Sequence, residues 1–200
     1  VGGTLVANLI SRKIKKQIDA GEAKVTVVDE KGEHVYQPGF MYIAMGNEDP
    51  KSLRKPERRL LDDRVELVIG EITGIDEETK TVSLADETSL DYDYLVIATG
   101  SRILPEAIEN FDQEAHHFYS EEAASKLRHS LDAFTGGKVV VGIAGMPYKC
   151  PPAPLEVALL IESELRDRGL RDKSEIHFCS PIARAFTIES VSEMVTPELE

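Results

Sequence analysis

Near the start of the chain, Leu5, Val6, Leu9, Ile10, Ile14 and Ile18 recur at three- and four-residue spacing, and Gly21 closes the run. That spacing predicts an amphipathic helix. "KVTVVDE", Lys24 to Glu30, follows as a mostly apolar, β-branched run, the pattern of a short strand buried in a parallel sheet. An aromatic stretch, "HVYQPGFMYIAMG", is broken by Pro38-Gly39 and gives way to a basic segment from Lys51 to Arg59. "EITGID" and "KTVSLAD" flank the polar turn "EETK" and predict a β-hairpin. "YLVIATG" reads as one more buried strand, ending on small residues.

The second half of the chain repeats this logic. A helix is predicted from Ser120 to Phe134, ended by Gly136-Gly137. "KVVVGIAG" then reads as a strand, "PLEVALLIESELRDRG" as a helix and "SEIHFCSP" as a further strand. The expected fold is α/β, a tandem Rossmann-like arrangement with an inserted β-hairpin. Residues 1–135 form the first segment of a dinucleotide-binding domain, and 136–200 begin a second one. Two strands are too few to close a sheet and cover both its faces, and the chain opens inside a glycine motif. It therefore reads as part of a longer protein.

Composition narrows the function classes. A chain of 200 residues with 42% hydrophobic content is that of a soluble globular protein. No run approaches the roughly 18 to 20 apolar residues of a membrane-spanning helix, and no signal peptide is visible. A net charge of −13 argues against nucleic acid as a partner. It fits a well-solvated acidic surface, with a salt-rich habitat as the alternative. Two cysteines without a secretory signal point to reduced thiols or a catalytic pair rather than a disulfide framework.

The candidate chemistry starts at Gly2 and Gly3. A dinucleotide fingerprint places glycines before a helix and an acid at the tip of the strand that follows. Gly3 would be its third glycine and Asp29 that acid, its carboxylate able to accept from ribose hydroxyls. The helix N-terminus would offer free N–H groups to a pyrophosphate. These residues alone fit a plain glycine turn and a strand-end aspartate equally well. The "ATG" of Ala98, Thr99 and Gly100, after the inserted hairpin, tips the balance toward a flat cofactor approached closely by backbone.

Taken together, "VGGTLVANLI", "VTVVDEKGEHVYQPGFMYIAMG", "EITGID", "DYLVIATGSRILP" and "KCPPAPLE" resemble the sulfide:quinone oxidoreductases of the FAD-dependent pyridine nucleotide-disulfide oxidoreductase superfamily. The likeness covers nearly the whole chain but about the N-terminal half of such a protein. "HVYQPGF" and "CPPAP" are its more specific parts, shared chiefly with the flavoprotein subunit of flavocytochrome c sulfide dehydrogenase. The resemblance implies FAD, with Gly2 and Gly3 at its pyrophosphate and Asp29 at its adenosine ribose. It further implies Ile72 at the adenine, Thr99 and Gly100 against the cofactor, and Pro38 with Gly39 near the isoalloxazine ring. Sulfide and a membrane quinone would be the substrates. Peripheral membrane association would follow, on the cytoplasmic side by default, and a homo-oligomer is left open.

"MPYKCPPAPLE" carries the second constellation. The turn keeps Gly142 and Gly145 but then brings Cys150 with Pro151, Pro152 and Pro154. Proline has no N–H, so these residues remove phosphate donors from the helix start. Nicotinamide binding is disfavoured there, which weakens the alternative of an NADH:quinone reductase of the same fold. A degenerate, non-catalytic flavoprotein is the other alternative. A residue before proline is pushed to an extended conformation, so Cys150 is expected on a rigid extended arm. On the residues alone it is equally a loop cysteine or a reactive thiol. The resemblance makes it catalytic, bridged to a second cysteine beyond residue 200. Sulfide would open that bridge to a persulfide and a thiolate.

Cys179, in an apolar strand, is expected buried and inert. The further cysteine many family members carry before the helix at Ser120 is missing from "EAHHFYSEEAA". His116 and His117, on that polar stretch, read as solvated, and no ligand spacing supports a metal.

Overall fold

The structure is a computed structural model and describes residues 1–199. It contains α1 (Gly2–Lys13), α2 (Lys15–Asp19), β1 (Val25–Asp29), β2 (Glu33–Val35), α3 (Phe40–Ala44), β3 (Arg54–Pro56), β4 (Val65–Ile69) and β5 (Ile72–Asp76). Then come β6 (Thr81–Leu84), β7 (Ser89–Asp91), α4 (Phe111–Glu114), α5 (Glu121–Ala133), β8 (Gly137–Gly142), α6 (Ala153–Asp167), β9 (Ser174–Cys179) and α7 (Glu189–Val195). These elements fall into two units. One comprises Val1–Phe40 with Glu48–Ala115, the other Met41–Asn47 with the chain from His116 onward.

In the first unit β1 and β4 pair in parallel, in register from Val25↔Val65 to Asp29↔Ile69. Helix α1 lies on this pair, and its contact stripe is built of small side chains. Ala7 joins Leu61 and Val65 in a buried cluster ringed by Val25, Val27 and Leu67, and Ser11 is fully buried. The leucines of the predicted stripe face out instead, with Leu5 56% and Leu9 55% exposed. Alanine and serine let the helix axis approach the strands more closely than leucine would. The helix also ends earlier than its pattern implies. Arg12 and Lys13 occupy its last turn, where cations complement the dipole, and the short α2 follows after Ile14.

The hairpin forms as expected, β5 against β6, and β7 adds a third antiparallel strand. Val82 and Leu84 point inward at 5% and 4% exposure while Ser83 points out, the period-two signature of a one-sided sheet. "YLVIATG" departs from expectation. Tyr94, Val96 and Ile97 are 95%, 56% and 68% exposed, and no strand ladder includes them among the described residues. β-branched side chains favour an extended chain, but a strand exists only where a neighbour supplies N–H and C=O groups.

In the second unit β8 and β9 pair in parallel from Gly137↔Ser174 to Gly142↔Cys179. The connecting helix α6 buries Leu155, Val157, Ala158, Ile161 and Leu165, each large one contributing about 1.5–3 kcal/mol. Ser120 caps α5 by accepting from the Ala123 N–H, 3.2 Å away. Arg128 of α5 clasps Glu164 of α6 with two hydrogen bonds of 2.8 and 2.7 Å. Among the described residues no helix is long and apolar enough to cross a membrane.

Candidate functional site

The first turn of α1 has no side-chain cap, so its leading N–H groups are open to a ligand. Gly2 and Gly3 sit there beside "ATG": a β-carbon on either would lie 3.6 or 3.7 Å from the Ala98 methyl. Thr99 and Gly100 follow, both exposed, and Gly100 has φ +75°, a conformation that favours glycine. Asp29 ends β1 with Oδ1 accepting from the Lys31 and Gly32 amides at 3.0 and 2.6 Å. These bonds orient the carboxylate through Oδ1 alone. The Gly70 amide donates to the Asp29 carbonyl at 3.0 Å, which brings Asp29 to the segment that begins β5 at Ile72.

The geometry therefore places Gly2 and Gly3 beside Ala98, the residue before Thr99 and Gly100, and Asp29 beside Gly70, two residues before Ile72. An open helix start, small residues beside it and an oriented carboxylate fit the pyrophosphate and ribose of a dinucleotide. Pro38 and Gly39 lie in a 3-10 turn, Gln37–Gly39, with Pro38 exposed. A β-carbon at Gly39 would stand 2.5 and 2.7 Å from the Leu53 methyls, so any larger residue there would force Leu53 to move.

Sequence reasoning missed Glu57. It lies in the basic segment and reads as a surface charge, yet it is 4% exposed. Thr4 Oγ1 donates to its Oε1 at 2.6 Å, and His34 Nδ1 lies 3.0 Å from Oε2. Its amide donates to the Gly32 carbonyl at 2.9 Å. One buried residue thus braces the first turn of α1 and the loop behind Asp29.

Cys150 lies in the turn between β8 and α6, and it is exposed. Its φ is +58°, so the expected extended arm is corrected to a left-handed turn. Such a position costs a non-glycine residue about 1–3 kcal/mol and persists only where its surroundings hold it. The Cys150 carbonyl accepts from the Ala153 N–H at 3.1 Å, closing the turn into α6. This bond overrides the local preference for extension before proline.

The start of α6 has no N–H to spare. Pro151, Pro152 and Pro154 carry none, and the Ala153 N–H is taken by Cys150. Leu155 and Glu156 both donate to the Pro152 carbonyl at 3.0 Å. The start of α6 therefore offers a pyrophosphate no free amide of its own. Cys179 is a second correction: it is exposed, because alternation along β9 turns Ile176 and Phe178 inward and Cys179 out. It ends β9 as Asp29 ends β1, so this unit also lacks the acid that would bind a ribose.

The stretch before α5, which lacks a cysteine, puts Tyr119 at the Cys150 turn. Its hydroxyl donates to the Lys149 carbonyl at 2.7 Å. Burial, with the charges of Cys150 and Tyr148, pushes its pKa up to about 12. The His117 Nδ1 accepts from the Tyr119 amide at 3.2 Å. Burial and then Lys126 lower the His116 pKa, and no metal-holding cluster occurs among the described residues.

Two parallel strand pairs, an uncapped helix start and an oriented strand-tip acid make an α/β frame of the dinucleotide-binding kind. The chain belongs to the pyridine nucleotide-disulphide oxidoreductase family, whose profile matches residues 7–146. That family is one of flavoprotein oxidoreductases, and its cofactor is FAD. The chain is 26% identical over 200 residues to a mitochondrial sulfide:quinone oxidoreductase of Dictyostelium discoideum, covering 97% of this chain and 43% of the relative. It is 29% identical over 159 residues to a sulfide-quinone reductase of Aquifex aeolicus, covering 78% of this chain and 37% of that one.

A type II NADH:quinone oxidoreductase of Staphylococcus epidermidis is 30% identical over 125 residues, covering 61% and 31%. The solved sulfide:quinone oxidoreductase of Aquifex aeolicus superposes with a TM-score of 0.79 at 23% identity, over 98% of this chain and 46% of its own. That likeness establishes the tandem Rossmann-like flavoprotein fold. The chain spans less than half the length of these relatives.

Proposed function

We propose that the protein containing this chain oxidises sulfide at Cys150 and delivers the electrons, through FAD, to a membrane quinone. The observation that carries this reading is the start of α6, where every N–H is absent or spent while an exposed thiol is held in a strained turn. A unit built this way presents sulfur rather than a phosphate site.

Gly2, Gly3, Thr99 and Gly100 would hold the pyrophosphate side of FAD, and Asp29 and Ile72 the adenosine side. Pro38 and Gly39 are assigned to the ring side. Held there, FAD would supply two-electron transfer between the sulfur centre and a quinone. Cys150 forms a bridge with a cysteine outside these 200 residues. Hydrosulfide attacks one bridge sulfur; the S–S bond breaks, a persulfide forms on that cysteine, and the other leaves as a thiolate. Peripheral association with the quinone-bearing membrane, at its cytoplasmic face, belongs to the same proposal, as does the domain boundary near Gly136.

The test is Cys150→Ser in the full-length protein, mixed anaerobically with sulfide while flavin absorbance is followed. FAD stays bound and bleaching is lost; bleaching at the wild-type rate overturns the role of Cys150. An NADH:quinone reductase is the second reading, supported by the 30% identity to a type II enzyme and opposed by the start of α6.

A further inference from the structure

Three consecutive carbonyls around the thiol accept hydrogen bonds. Tyr119 donates to Lys149 at 2.7 Å, the Ala153 amide to Cys150 at 3.1 Å, and the Tyr148 hydroxyl to Pro151 at 3.4 Å. The first two set the peptide planes on either side of the Cys150 α-carbon, and those planes define its backbone angles. The Ala153 and Tyr148 bonds are local. The Tyr119 bond reaches across 30 residues.

Tyr119 is itself well anchored. Its ring stacks on Phe118 with centroids 5.0 Å apart. Its amide donates to His117, and the next residue, Ser120, caps α5. A phenol on so fixed a base can hold a turn that has no tertiary reason of its own to stay left-handed.

We propose that Tyr119 is a positioning residue for Cys150, its hydroxyl locking the Lys149–Cys150 peptide plane so that the thiol stays in its reactive orientation. The inference rests on the reading of Cys150 as the reactive thiol. It assigns to the stretch before α5 a role in sulfide oxidation that needs no cysteine there.

The experiment compares Tyr119→Phe, Cys150→Ser and wild type in the full-length flavoprotein by rapid mixing. Phenylalanine keeps the stacked ring and removes the hydroxyl alone. Sulfide-dependent flavin reduction in Tyr119→Phe slows about tenfold, the rate equivalent of one lost hydrogen bond. FAD content and reoxidation of the reduced flavin by quinone stay at wild-type values, a split that general loosening of the fold would not produce. The rate of iodoacetamide labelling at Cys150, read by peptide mass spectrometry, changes as well, while labelling at Cys179 does not. Wild-type reduction in Tyr119→Phe, with Cys150→Ser inactive, overturns the role of Tyr119 alone. Equal slowing of reduction and reoxidation also overturns it. Wild-type reduction in Cys150→Ser overturns the reading of Cys150 and this proposal with it.

Discussion

Gly39 offers a direct way to separate a packing demand from a cofactor demand. Its φ lies outside the left-handed region, so its backbone tolerates alanine. The obstacle is Leu53, 9% exposed, whose methyls would stand 2.5 and 2.7 Å from an added β-carbon. Carbon atoms pack at about 3.5–4.0 Å, so Leu53 must retreat by about 1 Å. Overpacking of this kind costs about 1–3 kcal/mol, and Leu53→Ala alone costs about 2–5 kcal/mol. Because Leu53→Ala removes the colliding atoms, the double variant Gly39→Ala/Leu53→Ala is expected to be as stable as Leu53→Ala. The coupling energy is then about 2 kcal/mol. Denaturant unfolding of the full-length protein at constant slope measures it, with flavin content after desalting as the second readout. Additive costs, with flavin lost in Gly39→Ala and not regained in the double variant, would refute the packing argument and give Gly39 to the cofactor.

Two further outcomes follow from the second unit. The Glu164 carboxylate receives both Arg128 hydrogen bonds, and the two side chains are only 19% and 16% exposed. Glu164→Ala should therefore cost roughly 2 kcal/mol, below the buried-pair range because water still reaches the pair. The Arg128 hydrogen bond holds the Glu164 carboxyl below its ordinary 4.5. Its contribution is thus full above that value and lost as pH falls through the lowered one. Acid titration of stability should be flatter below pH 4.5 in Glu164→Gln; parallel curves would count against the pair. NADH, for its part, should leave the flavin absorbance of the full-length protein unchanged over the time in which sulfide bleaches it, and rapid bleaching by NADH would restore the nicotinamide reading.

Local periodicity carried most of the architecture. The hairpin, α5, β8, α6 and β9 all lie where their patterns placed them, because each buries one face against a neighbour close in the chain. Failures arose where a distant partner decides. Ala7 and Ser11, rather than Leu5 and Leu9, face the strands because β1 and β4 come close to α1. "YLVIATG" has the composition of a strand but no ladder among the described residues. Glu57 looks solvated inside a basic run, and its burial depends on Thr4 and His34, 53 and 23 residues away. Tyr119 carries no local signal at all; its significance is a bond to a carbonyl in another turn.

The second unit shows how little a fold commits a chain to a ligand. Its β8–α6–β9 frame repeats β1 with its neighbouring helix and strand in outline, yet three separate changes oppose a dinucleotide. Prolines delete donors from the helix start, the remaining amides are consumed by the Cys150 and Pro152 carbonyls, and Cys179 replaces the strand-tip acid. Any one could be accommodated by a ligand shifting its contacts. Together they remove the donors of the helix start and the strand-tip acid, two of the contacts through which such a site holds its ligand. What the same turn gains is a thiol held in a left-handed conformation by bonds from α6 and from Tyr119. The bonds from Ala153 and Tyr119 outweigh the extended form that proline favours, so the proposal for Cys150 stands on where this turn presents its sulfur and is decided by the Cys150→Ser test.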